Sequence, residues 1–180
     1  MSRAARILAS LLAGGAAIAP AAAHARKPQA ARVRQMAEEA RRACGPYAAR
    51  IRRAERAKKL RDGVLTALLW RESRCKPDAE NKRTAARGIG QFVPSGAAAV
   101  GRIQRARGAV RWFRYRDAFD ASASIVAAAE LLAYGLEVCG SLVAAVGQYN
   151  SGRCVESRFA RAVLRLAAAI RFVAGEERRT

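Results

Sequence analysis

Apolar residues recur at every third or fourth position along most of the chain, the spacing that places them on one face of an α-helix. Alternating runs are short, so no strand longer than a few residues is predicted. Much of the apolar content is alanine and only 6% of residues are aromatic, which favours closely packed helices over sheets. The pattern predicts an all-α fold with helices over about residues 30–43, 47–60, 62–72, 94–101, 120–134, 142–149 and 156–173.

One predicted helix carries a carboxylate on its apolar face. We expect Asp62 to cap this helix at its amino terminus, and Leu65, Leu68 and Leu69 share a face with Glu72 by the three- and four-residue spacing. Burial disfavours the charged form of a carboxyl group and raises its pKa, as a general acid at neutral pH requires. The helix therefore makes Glu72 the leading candidate for acid–base chemistry.

The first 25 residues have the parts of a secretory signal peptide. Arg3 and Arg6 form a basic start, and residues 7–18 are an apolar run too short to span a bilayer. Residues 23–25, Ala-His-Ala, supply the small residues of a cleavage site, so cleavage is predicted after residue 25. The alternative is an alanine-rich disordered start.

The rest of the chain divides into two predicted parts. Residues 26–61 are interpreted as a basic helical N-terminal extension and residues 62–180 as one further domain. Beyond the signal, no segment approaches 18 apolar residues, so the mature chain is not expected to span a membrane. The protein is expected to be exported to the periplasm or the medium and to be a monomer.

Charge and histidine content narrow the chemistry. The net charge is +20, from 34 basic and 14 acidic residues, which indicates attraction to polyanions. No nucleic-acid recognition motif accompanies the charge, so no specific nucleic acid is expected. Cleavage would remove Arg3, Arg6 and the single histidine, His24, leaving +18. A mature chain without histidine excludes serine–histidine triads, cysteine–histidine dyads and histidine-bearing zinc sites, and we expect no metal or cofactor.

The four cysteines fit an exported protein, where disulfides persist. Their even number and their spacing, unlike a zinc ribbon, indicate disulfides, and four cysteines allow three pairings. We expect Cys44–Cys75 and Cys139–Cys154, because each pair joins segments that the predicted helices place next to one another. Free buried thiols are the alternative.

A basic and aromatic segment lies between two predicted helices, at residues 101–116. Two interpretations remain open, a lip that binds a polyanion or a sugar and a surface loop with a hydrophobic anchor. Its basic and aromatic residues are Arg102, Arg105, Arg107, Arg111, Trp112, Phe113, Arg114, Tyr115 and Arg116.

Three motifs then occur in a fixed order between about residues 62 and 152. The first is Glu72-Ser73, followed by Pro77, Ala79 and Asn81 and then by Ala86-x-Gly88-Ile89-Gly90-Gln91-x-x-Pro94. The second is Asp120, Ser124-Ile125 and Leu131-Leu132, and the third is Ala144-Ala145-Val146-x-x-Tyr149-Asn150-x-Gly152. Together they resemble the catalytic domain of soluble lytic transglycosylases, which are related to goose-type lysozymes.

This resemblance implies a lysozyme-like single helical domain with a substrate cleft, stabilised by disulfides, over residues 62–180. It implies that Glu72 alone is the acid and base that cleaves the MurNAc–GlcNAc bond of peptidoglycan and forms 1,6-anhydro ends. It implies substrate-binding roles for Tyr149, Gln91, Asn150, Asn81 and Ser73, with Tyr149 orienting or stabilising near the cleavage point. No metal is needed.

The sequence departs from the family pattern at several positions. Gly90 stands where the family often has methionine, and Phe92 where an aliphatic residue is usual. Ser124 replaces an asparagine of the middle motif, and Cys75 occupies a position that is usually aromatic. These differences concern substrate details more than the reaction.

Other functions remain open at this point. A goose-lysozyme-like hydrolase would use water in place of the sugar hydroxyl, and a cationic wall-binding protein on this scaffold would act by charge alone. The purely structural interpretation of Glu72 is a helix-ending glutamate paired with Arg71 or Arg74. Short members of the family often serve envelope-spanning secretion machines, which makes such an apparatus a possible partner by analogy.

Overall fold

The computed structural model describes residues 21–177, so residues 1–20 of the predicted signal peptide lie outside the described residues. This part of the chain is helical with one small hairpin, which confirms the all-α prediction. The helices are α1 (Ala21–Ala43), α2 (Ala48–Ala57), α3 (Val64–Ser73), α4 (Pro94–Ala106), α5 (Ala121–Cys139), α6 (Leu142–Ser151) and α7 (Arg158–Glu177); the antiparallel strands are β1 (Glu80–Asn81) and β2 (Ala86–Arg87), and 3-10 turns cover Gly45–Tyr47 and Tyr115–Phe119.

Helix α3 lies in the hydrophobic core. It packs against α1, α2 and α7, and seven of its ten residues are buried. Helix α5 forms the other half of the core and packs against α2, α4 and α6. Their apolar residues belong to one hydrophobic core, as the hydrophobic effect requires.

The segment predicted as an N-terminal extension contributes to this core. Helix α1 packs against α3 and α7, and α2 packs against α3 and α5. Ala37, Ala40, Ile51 and Ala54 are buried together with the residues of α3. The exposed side of α2 carries basic residues, among them Arg50, Arg53 and Arg56.

Two disulfides close the structure, with the pairing expected from the sequence. Cys44, after α1, bonds to Cys75, just after α3. Cys139, the last residue of α5, bonds to Cys154, just after α6. Each cross-link reduces the conformational freedom of the unfolded chain, which stabilises the fold by about 3 kcal/mol in the chain-entropy account.

The amino terminus of α3 is capped differently from the prediction. Asp62 is not the cap; Gly63 occupies that position with a φ of 79° and no side-chain hydrogen bond. The acceptor comes from α2 instead, where the buried Glu55 carboxylate accepts a hydrogen bond of 2.8 Å from the backbone amide of Leu65. Desolvation raises the pKa of Glu55. The left-handed turn at Gly63 leaves Asp62 exposed, so a distant residue satisfies the helix end.

Helix α5 has the length and composition of a membrane span, with a mean hydropathy of 1.4 over its best window. The expectation that no segment comes close to that was therefore too strict. More than half of this window is buried inside the protein, against the neighbouring helices. A core helix also meets these criteria, and packing accounts for the apolar residues of α5. Its start is as predicted, since Asp120 accepts hydrogen bonds from the amides of Ser122 and Ala123.

Replacing Glu55 tests the capping of α3. We expect Glu55→Ala to lower the free energy of unfolding by about 2 kcal/mol, because a buried amide loses its acceptor. Glu55→Gln keeps an acceptor oxygen and is expected to lose less than half as much. Urea unfolding of the two variants measures the difference, and equal losses would contradict the hydrogen bond as the cause.

Candidate active site

Glu72 is the last residue but one of α3 and is half-buried. The guanidinium of Arg71 lies 5.7 Å from the ring centroid of Phe159, and that of Arg74 lies 3.6 Å from the ring of Trp70. Both cations are directed onto aromatic faces, a favourable arrangement. In the described part of the chain neither forms an ion pair with Glu72. The structure therefore does not show the alternative in which Glu72 is only a helix-ending partner of Arg71 or Arg74.

Burial raises the pKa of Glu72 to about 7, and the charge of Arg71 opposes the shift without cancelling it. The ordinary glutamate pKa is near 4.3. A carboxyl group with a pKa near 7 is protonated in about half of the molecules at neutral pH, so it can both donate and accept a proton there. This matches the chemical requirement predicted from the apolar helix face.

The chain is held tightly on the carboxyl side of Glu72. The Ser73 hydroxyl is buried and donates a hydrogen bond of 2.8 Å to the carbonyl oxygen of Ile89. Arg74 and Cys75 follow with φ angles of 58° and 59°, and the disulfide from Cys75 to Cys44 anchors this turn. Ser73 was expected to bind substrate. In the structure its hydroxyl instead joins α3 to the loop before α4 by this hydrogen bond.

That loop depends on one glycine and one glutamine. A Cβ atom on Gly88 would lie 1.7 Å from the carbonyl oxygen of Ala118, and the φ of Gly88 is 73°, so only glycine fits. The Gln91 side-chain amide donates to the carbonyl oxygens of Ala79 and Gly88, at 3.2 and 3.0 Å. Gln91, expected to hold the sugar or the glutamate, braces the loop in the described structure.

Asn81 has a similar local role in the hairpin. Its side-chain oxygen accepts hydrogen bonds from the backbone amides of Arg83 and Thr84, at 3.1 and 3.3 Å. This is the turn-forming bond that asparagine makes to residues two and three positions ahead. Asn81 is exposed, and its contacts stabilise the turn between β1 and β2.

Tyr149 lies near Glu72 on a different element. Burial raises the pKa of the Tyr149 phenol well above its ordinary value, and the negative charge of Glu72 raises it further. The two side chains are therefore close enough to interact electrostatically, and the phenol stays neutral. Its hydroxyl donates a hydrogen bond of 2.7 Å to the carbonyl oxygen of Gly90. Asn150, the next residue of α6, is exposed.

Gly90 is held from both sides, which the sequence did not reveal. Its carbonyl accepts from Tyr149 and its amide donates to the buried Ser124 hydroxyl at 3.3 Å. A Cβ atom here would lie 2.7 Å from the Phe92 ring and 3.0 Å from the Tyr149 hydroxyl. The departures at residues 90, 92 and 124 are therefore coupled, since the Phe92 ring fills space that a side chain on residue 90 would need.

Among the described residues, five of the best-formed cavities have volumes of 290 to 820 Å³. The largest of these five lies between α1 and α7, and Glu72 lines none of them. The substrate cleft implied by the resemblance stays a prediction. Across residues 21–177, no group of three or more His, Cys, Asp or Glu side chains is placed to hold a metal ion.

The comparisons agree with the motifs and the geometry. No curated protein matches the chain significantly. The family model described as the transglycosylase SLT domain matches residues 49–165, which include α3 with Glu72, the hairpin, and α6 with Tyr149. The match covers more than half of the sequence and begins inside the segment predicted as an extension. The chain belongs to the transglycosylase SLT domain family.

Proposed function

We propose that the protein is a peptidoglycan lytic transglycosylase that cleaves the MurNAc–GlcNAc β-1,4 bond with Glu72 as its single acid and base. The observation that carries the proposal is the half-buried Glu72 carboxyl, whose pKa of about 7 suits both proton transfers. The family supports a transglycosylase and a peptidoglycan substrate. The predicted signal peptide supports export to the periplasm or the medium, where that substrate lies.

The proposed reaction has two proton transfers. Protonated Glu72 donates its proton to the glycosidic oxygen as the bond to the anomeric carbon breaks. The resulting carboxylate then takes the proton from the 6-hydroxyl of the same MurNAc, and that oxygen bonds to the anomeric carbon. The products are a free 4-hydroxyl on GlcNAc and a 1,6-anhydro ring on MurNAc, and Glu72 is protonated again.

The neighbouring side chains support a mechanism with one carboxylate. Glycosidases ordinarily use two carboxyl groups, and the other acids close to Glu72 in sequence lie on the hairpin segment. Glu80 is paired with Arg87 at 2.9 Å, and Asp78 is exposed. The neutral Tyr149 phenol, near Glu72, suits a role in orienting the sugar without adding charge.

Digestion of purified peptidoglycan tests the proposed function. We expect mass spectrometry to find anhydro-ended muropeptides, and Glu72→Gln to reduce their rate of formation by at least about a hundredfold, because the acid is lost. The matched control is Glu80→Gln, which removes an exposed glutamate and is expected to keep the activity. Reducing-end products would make the protein a hydrolase. Wall binding without cleavage would leave a cationic binding protein.

The pH dependence follows from the raised pKa of Glu72. The free enzyme must carry the proton, so we expect kcat/KM to be level below about pH 7 and to fall tenfold per pH unit above it. The measurement is initial rate against pH at low substrate concentration and constant ionic strength. A decline that starts near pH 4.5 would contradict a buried acid.

The raised pKa of Glu72 also predicts how the stability of the protein depends on pH. The folded state holds the Glu72 proton up to about pH 7, but the unfolded chain releases it near pH 4.3. Stability therefore falls as the pH rises between these values, since the folded state binds more protons there. We expect Glu72→Gln to remove this loss, making the variant more stable than the wild type by about 1–3 kcal/mol at pH 8.

Chemical denaturation of the wild type and Glu72→Gln at pH 4 and pH 8 measures this effect. At pH 4 both side chains are uncharged, and the two proteins are expected to differ little. Glu80→Gln is again the control, with no comparable gain at pH 8. A stability difference that is the same at both pH values would show that the Glu72 carboxyl is not costly to ionise.

A further inference from the structure

A hydrogen bond and close packing hold the segment between α4 and α5 against helix α4. The backbone amide of Phe113 donates a hydrogen bond of 2.7 Å to the Gln104 side chain on α4. A Cβ atom on Gly101 would lie 3.0 Å from the Phe113 carbonyl oxygen, so the segment lies directly on that helix. Phe113 is buried. The Trp112 side chain lies 3.3 Å from the place of that Cβ atom and is half-exposed, and Arg114 is exposed.

Two guanidinium groups lie over the ring of Trp112. Those of Arg105 and Arg114 are 5.0 and 5.4 Å from the ring of Trp112. Such contacts restrict long side chains that would otherwise be free. In the described part of the chain neither guanidinium has an acidic partner within ion-pair distance, and both residues are exposed. We call Arg105, Trp112 and Arg114 the arginine–tryptophan cluster.

The cluster is connected to the candidate active site by contacts between tilted aromatic rings. The Phe113 ring lies 4.8 Å from the Phe92 ring, and the Phe92 ring lies 6.0 Å from that of Tyr149. Tyr149 in turn interacts with Glu72. Contacts through Phe113, Phe92 and Tyr149 therefore link the cluster to the candidate active site.

We propose that the arginine–tryptophan cluster binds the free carboxylates on the peptide branches of peptidoglycan while Glu72 acts on the glycan. The proposal rests on the proposed function for its substrate. Guanidinium groups bind carboxylates through two parallel hydrogen bonds, whereas the uncharged sugar rings offer such cations no opposite charge. Preordering on Trp112 lowers the entropy lost on binding.

The arrangement suits a carboxylate better than a lipid surface. Membrane-binding surfaces present aromatic or aliphatic side chains that enter the bilayer, but Trp112 lies against two cations and is only half-exposed. Within residues 101–116 the exposed large apolar residue is Val110. The cluster therefore presents charge with a fixed separation and little apolar surface.

A matched control lies on α2. Arg52 and Arg56 are exposed and make no cation–π contact in the described part of the chain. The double variant Arg52→Gln/Arg56→Gln changes the net charge by the same amount as Arg105→Gln/Arg114→Gln. Any loss due to general electrostatic attraction is therefore common to both variants, and only a loss due to the cluster separates them.

Binding is measured with the full chain carrying Glu72→Gln, so that the polymer is not cut. The ligands are glycan strands with their peptides and the same strands after the peptide carboxylates have been converted to amides. We expect Arg105→Gln/Arg114→Gln to weaken binding to the unmodified strands by about tenfold and to leave binding to the amidated strands unchanged. The control pair is expected to change binding to both ligands by less than about twofold.

Equal losses in the two double variants, or an equal loss on amidated strands, would overturn the proposal. A loss confined to vesicles of phosphatidylglycerol and phosphatidylcholine would assign the cluster to a membrane instead. Failure of the proposed function is seen separately, as the absence of anhydro products from the protein with Glu72 intact. Cleavage that is normal on amidated strands but has a raised KM on unmodified strands in the Arg105→Gln/Arg114→Gln protein would support both.

Discussion

The burial of one carboxyl group at the end of α3 is the constraint around which this structure is organised. Ionised Glu72 is unfavourable where it lies, and burial holds its pKa near 7 at a cost to stability. Other contacts hold helix α3 at both ends and offset this loss of stability. Glu55 satisfies its first amides, and Ser73 and the Cys44–Cys75 disulfide hold its last turn. An acid with a shifted pKa needs such support, because a mobile helix end would let water in and return the pKa to its ordinary value.

The second half of the site is joined to the first through the backbone of Gly90. Tyr149 and Ser124 bind its carbonyl and amide, so α5 and α6 fix the loop that Ser73 ties to α3. The Cys139–Cys154 disulfide spans α6, the helix that carries Tyr149. Each disulfide thus braces one of the two elements that hold the site. Gln91 and Asn81 shape the loop and the hairpin by hydrogen bonds with the local backbone.

The sequence predicted those features that depend on local pattern. Helical spacing located α3, α5, α6 and α7 and placed Glu72 on an apolar face, and cysteine positions next to predicted helices indicated the correct disulfides. Features that depend on distant partners were missed. Asp62 has the residue type of a cap, but the chain turn at Gly63 gives that task to Glu55, and the bonds from Ser124 and Tyr149 to Gly90 span 34 and 59 residues. Helix α4 continues to Ala106, past the predicted end near Gly101. That glycine lies inside the helix, where it accommodates the close approach of Phe113.

The ionisation of Glu72 in the folded protein is the most direct measure of this account. Glutamate labelled with ¹³C at the side-chain carboxyl gives one resonance per residue, and the resonance absent from Glu72→Gln identifies Glu72. Followed from pH 3 to pH 9, that resonance is expected to titrate with a pKa of about 7, well above those of exposed glutamates. A midpoint near 4.5 would show that the carboxyl is solvated like any surface group, and the proposed role of Glu72 as a neutral-pH acid would then lose its physical basis.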